Sequence, residues 1–94
     1  MTNPSKPLVY RVHAIQRMIE RDILPEDVAY VLETGSVIEE YPGEVPYPTC
    51  LMVGRIGSRP IHVVTATTES EIIVITVYEP DPERWESDFQ TRKP

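Results

Sequence analysis

Two histidines, three arginines and one tyrosine carry the chemistry this sequence offers: His13, Arg17, Arg55, Arg59, His62 and Tyr78. Histidine takes or gives a proton near neutral pH. Arginine grips phosphate oxygens in bidentate fashion. Tyrosine stacks on a base or donates a proton. Together they suit cleavage of an RNA phosphodiester, in which the 2′-hydroxyl attacks the neighbouring phosphorus. That reaction needs a base for the hydroxyl proton, an acid for the leaving 5′-oxygen, and cations for the charge building on the phosphate. It requires no metal and no cofactor.

Other chemistries have less to stand on. The sequence has no P-loop, no His-Glu-x-x-His, no Cys-x-x-Cys and no glycine-rich nucleotide loop. Its single cysteine, Cys50, excludes an internal disulfide and a multi-cysteine zinc site, and reads as a small core residue. No carboxylate has a ligand-like spacing to either histidine. Each chosen residue also has a plainer role. His62 lies in an apolar run and suits a hydrogen-bonded structural residue. Tyr78 suits packing. His13 and Arg17 suit the solvated face of a helix.

These residues need elements to hold them. Residues 72–78, Ile-Ile-Val-Ile-Thr-Val-Tyr, are β-branched and apolar on both faces, which predicts a central strand covered on both sides. Its expected neighbour is the strand 59–67, which carries His62. Simple alternation lets the hairpin register decide whether His62 and Tyr78 share a face. Thr67 opposite Glu71 would set His62 against Thr76, on the face of Tyr78; a one-residue slip would set it beside Ile75 and part the pair. Gly57-Ser58 fits a two-residue turn joining 59–67 to a strand at 49–56.

Residues 13–21 predict a helix. Ala14 with Met18, and Ile15 with Ile19, form its apolar stripe; His13, Arg17, Glu20 and Arg21 fall on the other side. Residues 25–34 predict a second helix, with Pro25 first, Glu26 and Asp27 in the opening turn, and Gly35 as a cap with positive φ. Leu24 is a poor N-cap. A short edge strand at 8–12, a strand at 37–41 and a stiff proline loop at 42–48 complete the body. Asp81 is expected to cap a short helix from Pro82 that packs Trp85 and Phe89 on the core. The sum is an α+β fold, an N-terminal helical hairpin packed on an antiparallel β-sheet with a short C-terminal helix. Residues 8–90 form the domain, between tails at 1–7 and 91–94.

The chain of 94 residues carries a net charge of −6, which argues against casual nucleic-acid binding. All fifteen acids fall within 20–44 and 69–88. The acid-free stretches hold Lys6, Arg11, Arg17, Arg55, Arg59 and both histidines, and would give one basic face if they meet. The sequence has no apolar run of about 18 residues and no signal-peptide pattern, so a cytoplasmic protein with no membrane association is expected.

Four stretches then become informative together: His-Ala-Ile-Gln-Arg-Met-Ile-Glu-Arg, Asp-Val-Ala-Tyr-Val-Leu-Glu-Thr-Gly, Arg-Pro-Ile-His-Val-Val and Thr-Val-Tyr-Glu-Pro-Asp-Pro-Glu-Arg-Trp. Over roughly residues 10–86 the chain resembles a family of small bacterial domains of unknown function related to the RelE/ParE-like toxins. The resemblance implies a βααβββ-type fold and a type II toxin held in check by a cognate antitoxin, acting as a metal-independent mRNA endoribonuclease, free or on the ribosome. His62, His13 and Tyr78 would be the catalytic residues, and Arg17, Arg59 and Arg55 the phosphate and RNA contacts. The acidic balance departs from the strongly basic character of such nucleases. It favours a catalytically inert toxin-like protein-interaction module instead; a ParE-like gyrase inhibitor is the third alternative. The sequence leaves a homodimer open.

Overall fold

The computed structural model describes residues 6–94. Its elements run β1 (Leu8–Tyr10), α1 (Val12–Arg21), α2 (Pro25–Thr34), β2 (Ser36–Tyr41), β3 (Thr49–Ile56), β4 (Arg59–Thr67) and β5 (Ile72–Tyr78). Residues 1–5 of the expected tail lie outside the described residues. Lys6 donates from Nζ to the Thr68 carbonyl at 2.7 Å, and the Pro7 carbonyl accepts from the Ile72 N–H at 3.0 Å. Among the described residues no helix is long and apolar enough to cross a membrane.

The five strands form one sheet in the order β1-β5-β4-β3-β2. Three pairings are antiparallel, but β1 runs parallel to β5. The sheet is therefore mixed rather than antiparallel as expected. A parallel pair needs a long crossover, and here the helical hairpin and three strands separate its two members. The middle strand is β4, not β5. β1 pairs with Ile72–Val74 only, so the last half of β5 has no strand on that side.

The two helices cover one face. Ala14, Met18, Val28 and Val31 meet Ile61, Val63, Val74 and Val77 in a single buried cluster. Val74 and Val77 share that face although they are three apart, because Ile75 is a bulge. Thr65 pairs with Val74, and the next pair is Val64 with Thr76. The extra residue flips the phase of β5. His62 consequently lies directly opposite Tyr78, a register that strict alternation does not produce.

The helix ends differ from expectation in one respect. Gly35 has φ −81°, so it does not supply a positive φ. Glycine is needed there because an added Cβ would clash with the Val53 and Val31 carbonyl oxygens. The left-handed residue is Asp22, φ 57°, at the end of α1. Asp27 compensates for Leu24 by accepting its N–H at 2.9 Å. Gly57, in the hairpin turn, does take positive φ (64°).

The expected C-terminal helix does not form. The Arg84 and Trp85 N–H groups donate to the Asp81 carbonyl, closing one turn, and the chain then doubles back: Glu86 N–H reaches Thr91, and Lys93 N–H reaches Arg84. Asp81 and Asp88 draw backbone N–H groups onto their carboxylates, a local alternative to helical bonding.

Candidate functional site

α1 presents three stripes. Ala14 and Met18 are buried, while Ile15 and Ile19, expected beside them, are 43% and 75% exposed. The third stripe is His13, Arg17 and Arg21, stacked one turn apart. It forms one wall of an open groove of about 670 Å³. The floor holds Thr76 and Tyr78 from β5. The opposite wall is the chain after β5, with Glu79, Asp81, Arg84 and Arg92. Four arginines face two carboxylates, so the groove is cationic on an acidic protein. Arg17 lies 3.4 Å from Glu20 in an exposed pair, and Arg84 lies 4.0 Å from Asp81. Exposed pairs of this kind are weak and yield readily to a competing anion.

His62 lies beneath this groove and is fully buried. Its Nε2 sits 2.8 Å from the Phe89 carbonyl, and its Nδ1 sits 3.2 Å from the Tyr78 hydroxyl. A carbonyl only accepts, so Nε2 carries the proton. Nδ1 then accepts from Tyr78. Trp85 stands edge-on to the imidazole at 4.6 Å between centroids, and Tyr78 at 5.2 Å. Burial pushes the His62 pKa below the ordinary histidine value, against the Phe89 hydrogen bond that raises it. Burial likewise pushes the Tyr78 hydroxyl up. The pair is neutral, with every polar atom occupied.

Of the six residues singled out in the sequence, His13, Arg17 and Tyr78 line the groove, and His62 supports it from below. Arg59 is engaged elsewhere. Its Nε donates to Glu79 at 2.6 Å, and its terminal nitrogens donate to the Arg21 and Asp22 carbonyls at 2.7 and 3.4 Å. That clasp ties β4 to the C-terminus of α1, where a cation is favourable. Arg55 donates to the Ser58 carbonyl and lies over the Phe89 ring at 5.6 Å. The groove draws only His13 and Arg17 from the acid-free stretches of the sequence. Arg21 stood on the same predicted helical stripe. Arg84 comes from the acid-rich stretch 69–88 and Arg92 from the residues just after it; neither stands on a predicted stripe with the others.

A protein-family model, the domain of unknown function DUF4258, matches residues 10–79. The chain belongs to this family. The match takes in His13, Arg17, Arg59, His62 and Tyr78 and ends at Glu79, where β5 gives way to the C-terminal segment. The DUF4258 match thus contains the α1 wall and floor of the groove but not Arg84 or Arg92. No curated protein and no solved structure matches the chain.

A second, apolar groove of about 470 Å³ lies on the other side of α1, lined by Tyr10, Ile15, Met18, Ile19, Ile23 and Leu24. Leu24 is 51% exposed, and Val12, at the start of the same helix, is 70% exposed.

Proposed function

We propose that this DUF4258 protein cleaves RNA without a metal, as a toxin of the RelE/ParE-like kind. One observation carries the reading: His13, Arg17 and Arg21 are stacked on one helix and share a cationic groove with Tyr78. His13 is the exposed imidazole of the two, so it takes the 2′-hydroxyl proton. Arg17 and Arg21 hold the non-bridging phosphate oxygens as negative charge builds. The 2′-oxygen–phosphorus bond forms, the bond to the 5′-oxygen breaks, and that oxygen takes a proton relayed through water from the His13 imidazolium, while the Tyr78 hydroxyl, its own proton held by His62, accepts a hydrogen bond from the substrate. A 2′,3′-cyclic phosphate is left. His62 is a positioning residue in this scheme, because its Nδ1 fixes the Tyr78 hydroxyl. Arg59 holds the end of α1 instead of gripping phosphate. Inducible expression in bacteria tests the toxin reading. Wild type halts protein synthesis within minutes, and Arg17→Ala/Arg21→Ala does not. A harmless wild type that is folded and abundant contradicts it.

The exposed stripe Val12, Ile15 and Ile19 favours a second reading, a protein-interaction module. Contiguous exposed apolar surface beside a groove marks a contact site. In the toxin reading its occupant is the antitoxin; in the inert-module reading it is the whole function. Ile15→Asp/Ile19→Asp abolishes partner binding in both readings, and only in the toxin reading does the variant still cleave RNA.

A further inference from the structure

The second face of the sheet is covered by no helix. Residues 80–94 cover it. They leave β5 at Glu79 and cross β4 and β3 to reach β2. Their contacts are the buried Trp85 ring against His62, the Phe89 carbonyl on His62, Arg55 over Phe89, and Arg92 on Glu39. Arg92 donates to both Glu39 carboxylate oxygens, at 2.7 and 3.0 Å, and its guanidinium lies 4.6 Å from the Trp85 ring centre. The hydroxyl of Tyr41 donates to the same carboxylate. Among the described residues, every backbone–backbone hydrogen bond made by residues 80–94 closes within the segment itself. The segment is therefore a self-contained unit held to the body by side chains and one histidine.

We propose that residues 80–94 are a strap latched by Arg92 on Glu39. It opens to uncover His62 when a phosphate-bearing polyanion in the adjoining groove draws Arg92 away from Glu39. Arg92 lines that groove, and its side chain is 60% exposed, so a phosphate reaches it without first moving the strap. Phosphate and carboxylate take the guanidinium in the same bidentate fashion, so the exchange keeps its hydrogen bonds. Trp85 then loses the cation on one side of its ring. Because its own backbone bonds stay closed, the strap lifts as one unit. The trigger rests on the phosphate-binding reading of the groove; the latch does not.

Trp85 is the single tryptophan, so acrylamide quenching of its fluorescence reports the strap directly. Diethyl pyrocarbonate modification, read by mass spectrometry, reports His62, with exposed His13 as the internal standard wherever triphosphate is absent. In wild type His13 reacts and His62 is protected. Arg92→Ala and Glu39→Gln raise both His62 modification and Trp85 quenching about threefold or more with far-ultraviolet dichroism unchanged. Inorganic triphosphate raises both signals in wild type beyond sodium chloride of equal ionic strength, and adds nothing in Arg92→Ala. Variants that keep Trp85 and His62 shielded overturn the latch. So do variants that expose them only on global unfolding, since the segment is then an inseparable part of the core. Triphosphate that leaves wild type closed while the variants open overturns the trigger. RNA cleavage is not read in this experiment, so either idea can fail without the other.

Discussion

The Tyr78 hydroxyl donates to His62 Nδ1 directly across the β4–β5 ladder, at 3.2 Å. This one bond joins the floor of the cationic groove to the imidazole buried beneath residues 80–94. It makes His62 a support for the site, and its consequences are measurable.

Replacing His62 is costly to stability. His62→Ala empties a fully buried site and leaves the Phe89 carbonyl and the Tyr78 hydroxyl without their partner. Cavity and lost hydrogen bonds together cost about 3 kcal/mol. Urea unfolding monitored at Trp85 checks this. A loss under about 1 kcal/mol would show that the imidazole is not held as described.

Acid destabilises the fold in two stages. Burial holds the folded His62 pKa below its ordinary 6.5. The unfolded chain therefore binds that proton first, and stability, complete above about 6.5, declines as pH falls below it. Glu39 is pulled from 4.5 to about 2, chiefly by the Arg92 hydrogen bonds and then by Tyr41. Its contribution is complete above about 4.5 and is lost as pH falls towards 2. Urea midpoints measured across the acid range should fall in both windows. His62→Gln removes the first decline and Glu39→Gln the second. A wild-type midpoint that is flat below 6.5 contradicts the His62 assignment.

Sequence alternation went far here and stopped at identifiable points. Both helices and β3, β4 and β5 were legible because their apolar periods are clean and Pro25 and Gly57 punctuate them. The His62–Tyr78 pairing was not, because nothing in Ile72–Tyr78 announces Ile75 as a bulge among β-branched neighbours. The helix expected after Asp81 does not form, because Asp81 and Asp88 close turns in a segment shaped by Trp85 and Arg92. The exposure of Ile15 and Ile19 was hidden for a related reason. A helix with apolar residues on two adjacent stripes does not declare which one its own sheet will bury. His13, Arg17 and Tyr78, singled out for their chemistry, line one groove. Arg84 and Arg92 reach the groove only through the tertiary path of the chain.

Arg59 holds structure, so its loss should be read in stability. Arg59→Ala removes the bond to Glu79 and those to the end of α1. The cost is about 1–2 kcal/mol for this half-exposed cluster. Arg59→Lys restores only part of it, since one ammonium cannot span the same three acceptors. RNA affinity of the folded variant stays within about twofold of wild type. A tenfold loss of affinity at unchanged stability would place Arg59 on the phosphate after all.

Gly35→Ala tests the close approach of α2's end to β3. Its backbone angles suit alanine, but the added Cβ meets the Val53 and Val31 carbonyls. Overpacking against backbone costs about 2 kcal/mol or more. The thermal midpoint checks it; a neutral substitution would show that the two elements are further apart.

The most direct measurement is cleavage of an end-labelled RNA by purified protein in a metal chelator, with wild type beside His13→Ala and Arg17→Ala/Arg21→Ala. Wild type should yield fragments ending in a 2′,3′-cyclic phosphate. His13→Ala should lose about a hundredfold or more in rate while remaining folded. Wild type that leaves the RNA intact, or a folded His13→Ala that cleaves at the wild-type rate, would contradict the assignment of this groove.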